Sequence, residues 1–195
     1  MKKLLQLPPL IKEFLNQYIK SSKEAKVEKK MRKAIKNNDE DMLKQNVENF
    51  LEIHPTSPKN EHYPVDKWVG SIYYNVGNTC AMEKRFELAI SMYRISASYS
   101  PGPAAYNNMA TCFKRQGKYY EAYNCLKKAL KADSNYVAGY GRMAILLEAY
   151  DVPVEDEAYK YLKKYFDLGG KKESLKKLAS PSLPEEENAL ERLLH

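Results

Sequence analysis

The sequence has few of the residues that build disulfide frameworks, metal sites or membrane spans. Its three cysteines, Cys80, Cys112 and Cys125, are odd in number and never form a C-x-x-C pair, which argues against a disulfide scaffold and favours a reducing compartment. None of the three histidines has metal-ligand spacing with a cysteine or a second histidine. No apolar run approaches the length of a membrane span. We therefore expect a cytoplasmic protein with no membrane-spanning segment and no cofactor.

Sequence motifs of catalytic sites are also missing. The chain has no nucleophile elbow, phosphate-binding loop or dinucleotide-binding glycine pattern. Gly169 and Gly170 follow a helical pattern and are typical of a helix C-cap. Each cysteine lies within a helical pattern, where a small buried side chain is expected. The sequence therefore predicts a protein that is not an enzyme.

Positive charge is concentrated near the N-terminus of a chain whose formal net charge is +7. Residues 20–36 contain eight lysines and arginines against Glu24 and Glu28. Such a segment can contact nucleic acid or another anionic surface. However, it has no interleaved aromatic residues to stack on bases and no bulky apolar face to insert into a membrane. We therefore favour a solvent-exposed helix face and keep nucleic acid or another anionic surface as the alternative.

Two segments of the chain align with each other. The stretch "YNVGNTCAMEKRFELAISMY" at 74–93 matches "YNNMATCFKRQGKYYEAYNCL" at 106–126, and the aligned Ala89 and Ala122 lie 33 residues apart. Each stretch contains two helical patterns with a break between them. A third copy begins at Tyr140, and two extra residues in its "DVPVED" turn delay its second helix. Repetition at this period predicts stacked helical hairpins.

The second copy resembles the tetratricopeptide repeat, a helix–turn–helix unit of about 34 residues. The positions that fit this family are Tyr106, Met109, Ala110, Phe113, Gly117, Tyr119, Ala122, Leu126 and Ala129. The other copies depart from the pattern at Lys84, where the family often has glycine, at Ser96 in place of a later alanine, and at Asp151 in place of the turn glycine. Three copies in register make the resemblance specific.

The resemblance implies an all-α fold, a right-handed α-solenoid of tetratricopeptide helix–turn–helix repeats with capping helices at both ends. The expected segments are an N-terminal amphipathic helix at 8–21, a divergent hairpin with a basic first helix at 24–57, a loop at 58–69, repeats at 70–102, 103–136 and 137–170, and C-terminal capping helices at 171–195. Within the last segment, "PEEENALERLL" predicts a separate short helix with acidic N-terminal residues.

Small residues recur where the two helices of a hairpin must approach closely. They stand at matching positions in the first helices (Gly77, Ala110, Ala144) and in the second helices (Ala89, Ala122, Ala158). Larger side chains there would bury more area but would also hold the helices apart. We therefore expect these residues at the contact within each hairpin.

The first helices of stacked hairpins line a concave face, which suits a peptide or helix of another protein. The predicted binding residues are Tyr74, Asn78, Asn107, Asn108, Thr111, Lys114, Arg115, Arg142 and Ile145. Their amides and cations favour a ligand that carries a carboxylate. The resemblance thus implies a protein–protein interaction adaptor or co-chaperone-like scaffold.

Some members of this family bind the acidic C-terminal tail of heat-shock chaperones through two asparagines, two lysines and an arginine. Asn78, Asn108 and Arg142 stand at three of these five positions, but Tyr74 and Ala138 replace the two lysines. An acidic C-terminus is therefore one option for the ligand. A chaperone for secreted proteins is a further option, supported by similar size and repeat number alone. The sequence makes no prediction of the oligomeric state.

Overall fold

A computed structural model describes residues 22–55, 64–154, 157–179 and 183–194. These residues form α-helices and no β-strand. The helices are α1 (Ser22–Asn37), α2 (Glu40–Ile53), α3 (Val65–Met82), α4 (Phe86–Tyr99), α5 (Pro103–Arg115), α6 (Tyr119–Ala132), α7 (Val137–Ala149), α8 (Ala158–Asp167), α9 (Lys172–Leu178) and α10 (Pro184–Leu194). The all-α, helical-hairpin fold is confirmed. The chain divides into two compact units, Met1–Ser100 and Pro101–His195. The predicted helix at 8–21 lies outside the described residues.

The first unit consists of the hairpins α1–α2 and α3–α4. Three hydrogen bonds connect the two hairpins. The indole Nε1 of Trp68 donates to the His54 carbonyl at 2.9 Å, Ser91 Oγ donates to Glu40 Oε1 at 2.7 Å, and Arg85 Nη2 donates to the Lys36 carbonyl at 2.9 Å. These hydrogen bonds therefore help to fix the orientation in which the apolar faces of the two hairpins pack.

The second unit consists of the hairpins α5–α6 and α7–α8, with α9 and α10 packed against α7. Helix α9 approaches α7 closely at Gly141, where a Cβ would lie 2.6 Å from Leu178 Cδ1. The apolar core here is shared by helices α7 to α10. Its buried members are Ala144, Ile145, Ala158, Leu162, Tyr165, Leu175, Leu190 and Leu193. Both C-terminal helices therefore cover the last hairpin of the unit.

The same backbone turn closes three of the hairpins. Each has one residue with positive φ: Asn38 at 57°, Lys84 at 58° and Gly117 at 72°. In each, the next residue donates its N–H to the carbonyl five positions earlier, with N···O distances of 2.9, 2.8 and 3.0 Å. This 6→1 bond is the Schellman motif that ends helices. Lys84 therefore adopts the backbone conformation of the family's glycine, although its side chain makes that conformation costly.

Helix α3 begins at Val65, so the last five residues of the segment predicted as a loop at 58–69 are helical. Pro64 immediately precedes the helix and has φ −54° and ψ 130°, the extended conformation of a residue at a helix boundary. Trp68 is buried one turn later. Its burial and its bond to His54 come from contact with the preceding hairpin, which a local sequence pattern does not reveal.

The small residues lie at the helix contacts where they were predicted. Gly77 packs against the Tyr93 ring so closely that a Cβ would lie 2.7 Å from two of its carbons. The five alanines at the matching positions are all buried. The three cysteines are also buried, and none of them forms a disulfide. His54 is only partly exposed, and its Nε2 lies 2.8 Å from Oε1 of the buried Glu24.

Candidate binding face

Two of the predicted binding residues, Tyr74 and Asn78, lie on α3 of the first unit. The Tyr74 ring is 5.7 Å from the Tyr93 ring between centroids. The Tyr93 hydroxyl donates to Asn78 Oδ1 at 2.8 Å. Both predicted residues are half-buried and contact α4 of their own hairpin.

Helix α5 of the second unit carries five predicted residues. Asn107 is buried and its Nδ2 lies 3.3 Å from Asn108 Oδ1, while Thr111 Oγ1 donates to the Asn107 carbonyl at 3.2 Å. Asn108 and Thr111 are half-buried, and Arg115 at the end of the helix is exposed. Asn107, Thr111 and Lys114 recur at the spacing that places residues on one side of a helix.

Lys114 forms an ion pair with Glu186 of α10. The Lys114 side chain is 10% exposed and the Glu186 side chain is fully buried. Burial lowers the pKa of Lys114, while the charge of Glu186 and its hydrogen bond act in the opposite direction. A buried lysine and a buried carboxylate require each other, because either one alone would be a desolvated charge.

Helix α7 carries the remaining predicted residues, Arg142 and Ile145. Arg142 Nη1 donates to the Leu178 carbonyl of α9 at 3.4 Å. Burial lowers the pKa of Arg142, and the charge of Glu186 opposes that shift, so the guanidinium lies within the electrostatic reach of α10. Ile145 is buried in the apolar core that includes Leu190 of α10.

Helix α10 turns one side toward α5 and α7. Its buried residues are Glu186, Ala189, Leu190 and Leu193. At the other end of the helix, Arg192 forms an ion pair with Glu148 of α7, and its Nη2 donates to the Glu148 carbonyl at 2.8 Å. The Tyr159 hydroxyl of α8 donates to the Arg192 carbonyl at 3.1 Å. The helix is therefore held by charge at both ends and by apolar contacts between them.

Several buried polar groups on α7 and directly after α5 and α7 lack hydrogen-bond partners among the described residues. These are the Tyr150 hydroxyl, both polar atoms of the Gln116 amide and Nε of Arg142. The Tyr150 ring stacks on Tyr119 with centroids 3.9 Å apart. Burial, followed by the negative charge of Glu186, raises the pKa of Tyr150 well above its ordinary value. The charge of Glu186 on α10 thus acts on Tyr150 and Arg142, whose buried Oη and Nε have no hydrogen-bond partner among the described residues.

The structure brings Lys114 and Ile145 together beneath α10, with Arg142 beside them, and we call the surface formed by α5 and α7 around these residues the α5/α7 face. Sequence reasoning did not identify Glu186 or Tyr150 as parts of this site. One sequence signal was available for Glu186: it lies on the same side of its predicted helix as the apolar stripe, where a carboxylate needs a cationic partner.

The basic helix α1 exposes its lysines. The exposed ones are Lys23, Lys26, Lys29, Lys30, Lys33 and Lys36. Arg32 instead pairs with Glu28 on the same helix, and partial burial lowers its pKa.

Across the described part of the chain, no cluster of three or more histidine, cysteine, aspartate or glutamate side chains could hold a metal ion. No helix among those same residues is both long enough and apolar enough to cross a membrane.

Comparison with known proteins identifies the repeat. The tetratricopeptide repeat family model matches residues 103–136, which comprise the hairpin α5–α6 and the turn after it. The crystal structure of MamA is similar with a TM-score of 0.51 and 16% identity, over 80% of this chain and 83% of that one. The first TPR of Spaghetti (RPAP3) bound to the HSP90 peptide SRMEEVD has a TM-score of 0.44 and 19% identity, over 69% and 96% of the two chains. The likeness to MamA supports the fold. No significant match was found among the curated proteins.

Proposed function

We propose that the chain, whose residues 103–136 match the tetratricopeptide repeat family model, is a non-enzymatic scaffold that binds a peptide or helix of another protein on the α5/α7 face. The first helices of stacked hairpins form the ligand-binding surfaces of repeat proteins of this kind. Amide, hydroxyl and cationic side chains converge on that side of the second unit. Backbone and side-chain polar groups of a bound peptide are the natural partners of such a surface.

One observation carries this proposal. The α5/α7 face already holds a carboxylate-bearing helix, because Lys114 pairs with the fully buried Glu186 of α10 while Ile145 and Leu190 share one apolar core. The same surface chemistry can therefore accept an acidic amphipathic segment from another chain. Three buried cysteines that form no disulfide fit a reducing compartment, and we place the protein in the cytoplasm as part of the proposal.

The test is capture of partners from a lysate of the native host, with the full chain as bait. The binding-face variant is Asn108→Ala with Thr111→Ala, two half-buried positions on α5. The matched control is Lys128→Ala with Lys131→Ala, two exposed positions on α6. We expect a partner that wild type and control retain and that the binding-face variant loses by about tenfold or more, since hot-spot side chains at an interface each contribute more than 1 kcal/mol. Equal retention by all three proteins would contradict the proposal.

A second candidate function is binding of an anionic surface or nucleic acid through α1. The six exposed lysines of this helix are the observation that favours it. Such binding depends steeply on salt, because it releases counterions from the anionic partner. Partner capture that disappears between 50 and 200 mM salt (roughly the range over which phosphate contacts lose most of their affinity) and that is insensitive to Asn108→Ala would favour α1 over the α5/α7 face.

A further inference from the structure

The side of α10 that faces α5 and α7 carries one carboxylate followed by apolar side chains. It begins with Glu186 and continues with Ala189, Leu190 and Leu193, all buried. These positions follow the i, i+3, i+4, i+7 spacing that places residues on one side of a helix. The acidic neighbours Glu187 and Glu191 point to solvent. The α5/α7 face therefore distinguishes one carboxylate of this helix from the others.

The receiving surface complements that order. Lys114 provides the cation opposite Glu186, and the guanidinium of Arg142 adds positive charge beside it. Ile145 lies in the apolar core beside Leu190 and Leu193. The ion pair thus lies near the start of the bound helix and the apolar contacts lie closer to its end, in matching order on both surfaces. This order fixes the orientation of the helix as well as its position.

The fit between α10 and this surface is incomplete. The Tyr150 hydroxyl and Arg142 Nε, which both feel the charge of Glu186, are buried without hydrogen-bond partners among the residues that the structure describes. Native interiors satisfy nearly all such groups, because each unsatisfied one retains the full cost of desolvation. A helix that offered acceptors to Tyr150 and Arg142 would therefore bind this surface more tightly than α10 does.

We propose that α10 is an internal ligand of the α5/α7 face, and that the partner is an amphipathic helix with the same order, a carboxylate followed at +3, +4 and +7 by a small residue and two leucine-like residues. This inference rests on the proposed function and names its ligand class. The partner binds by replacing α10. Because α10 is tethered to its site at an effective concentration in the millimolar range, it excludes weak ligands and admits only those that match the surface better.

The test uses a fluorescent peptide of residues 183–194, LPEEENALERLL, titrated into three forms of the full chain and followed by anisotropy. The forms are the wild type, the variant Leu190→Asp with Leu193→Asp, which releases α10 from the core, and the control Glu187→Gln with Glu191→Gln at exposed positions. We expect the peptide to bind the released variant about tenfold or more tightly than it binds the wild type or the control, because the tethered helix no longer competes.

A pair of altered peptides tests the chemistry of the site. Glu186→Gln and Glu187→Gln remove the same charge from neighbouring positions, but only Glu186 is buried against Lys114. The Glu186→Gln peptide should bind the released variant about tenfold more weakly, and the Glu187→Gln peptide should bind like the original. Equal weakening of both peptides would show general charge attraction and would overturn the inference.

Amide hydrogen exchange on the wild-type chain keeps the test valid if the released variant fails to fold. We expect the amides of α10 to exchange faster than those of α7, and excess peptide to accelerate exchange in α10 while leaving α7 protected. Equal protection of α7 and α10, unchanged by peptide, would show that α10 is a fixed structural element and would overturn the inference. In that case a partner lost through Asn108→Ala and Thr111→Ala would still support the proposed function, so the two failures are distinguishable.

Discussion

The hairpins α3–α4 and α5–α6 share a fold but close their helix contact with different residues. In the first, Gly77 lies against the large ring of Tyr93, and a Cβ there would clash at 2.7 Å. In the second, the aligned positions hold Ala110 and Leu126, which both line one small pocket between α5, α6 and α7. A smaller residue on the first helix thus accompanies a larger one on the second. Each hairpin thus fills its helix contact with a different pair of side chains.

The two units also differ in how their predicted binding residues are used. Tyr74 and Asn78 of the first unit contact Tyr93 within their own hairpin. Lys114 of the second unit instead contacts Glu186, which lies in the C-terminal helix α10. A neutral hydrogen bond inside one hairpin stabilises that hairpin, whereas a buried ion pair between distant segments makes one segment dependent on the other. This difference is the reason why the proposed ligand competition is placed in the second unit.

The largest expected effect is a greater loss of stability when the buried ion pair is broken than when the hydrogen bond within one hairpin is removed. Glu186→Gln leaves Lys114 buried without its carboxylate and should lower the free energy of unfolding by about 2–3 kcal/mol. Tyr93→Phe removes only the hydroxyl that donates to Asn78 and should cost about 1 kcal/mol. Urea denaturation of both variants measures the difference. A smaller loss for Glu186→Gln than for Tyr93→Phe would contradict the distinction.

A double-mutant cycle tests the size compensation between helices. Gly77→Ala should lower the free energy of unfolding by about 2 kcal/mol, because the added methyl overlaps the Tyr93 ring. Adding Tyr93→Leu recreates the Ala110 and Leu126 combination of the next hairpin. The two changes together should then cost at least about 1 kcal/mol less than the sum of the separate changes. Strict additivity would show that the two positions do not compensate.

Substitution of the turn residues should raise the free energy of unfolding in the hairpin α3–α4 and lower it in the hairpin α5–α6. Lys84 has a φ of 58°, so Lys84→Gly should raise the free energy of unfolding by about 0.5–1 kcal/mol by removing left-handed strain. Gly117 has a φ of 72°, and a Cβ added there would meet no other atom within 4 Å. Gly117→Ala should therefore lower stability by a similar amount through the backbone alone. Shifts of the same sign in urea midpoints would contradict this interpretation.

The smallest expected effect is a dependence on pH in the first unit. A hydrogen bond from Lys44, followed in importance by one from Ser91, holds the pKa of the Glu40 carboxyl group below its ordinary value of 4.5. A carboxyl group with a lowered pKa in the folded state stabilises the fold above its unfolded pKa and loses that contribution as pH falls through the folded value. Because Glu40 is substantially exposed, the contribution is about 0.5 kcal/mol.

Thermal melting of wild type and Glu40→Gln measures this contribution. The wild type should be more stable than the variant at pH 7, and the difference should disappear as pH falls below 4.5. Glu83→Gln, at an exposed position after α3, serves as the control and should show no such convergence. A difference that persists unchanged at low pH would exclude the link between Glu40 and Ser91 as its source.

The repeat architecture could be predicted from the sequence because its signals are local. The turn at Gly117 lies within one hairpin, Ala89 and Ala122 occupy matching positions of successive hairpins, and the family model matches the copy that fits the pattern best. The helix at 184–194 was also predicted, from its acidic N-terminal residues. In these cases neighbouring residues determine the structure that they adopt.

The docking of α10 could not be predicted in the same way. Lys114 and Glu186 meet through the packing of four helices, and an amphipathic stripe does not specify the surface that covers it. The early start of α3 at Val65 has a similar origin, because Trp68 is fixed by contact with the preceding hairpin. Which predicted binding residues contact a partner also depends on such distant contacts, and their role stays a prediction.

The most direct measurement of the central claim is a competition experiment on a captured partner. The partner is retained on the immobilised full chain, and the peptide of residues 183–194 is then added at increasing concentration, with the Glu186→Gln peptide in parallel. If the partner and α10 use the same α5/α7 face, the original peptide releases the partner and the altered peptide requires about tenfold more. If neither peptide releases the partner, then the partner binds elsewhere, and the account of this face is contradicted.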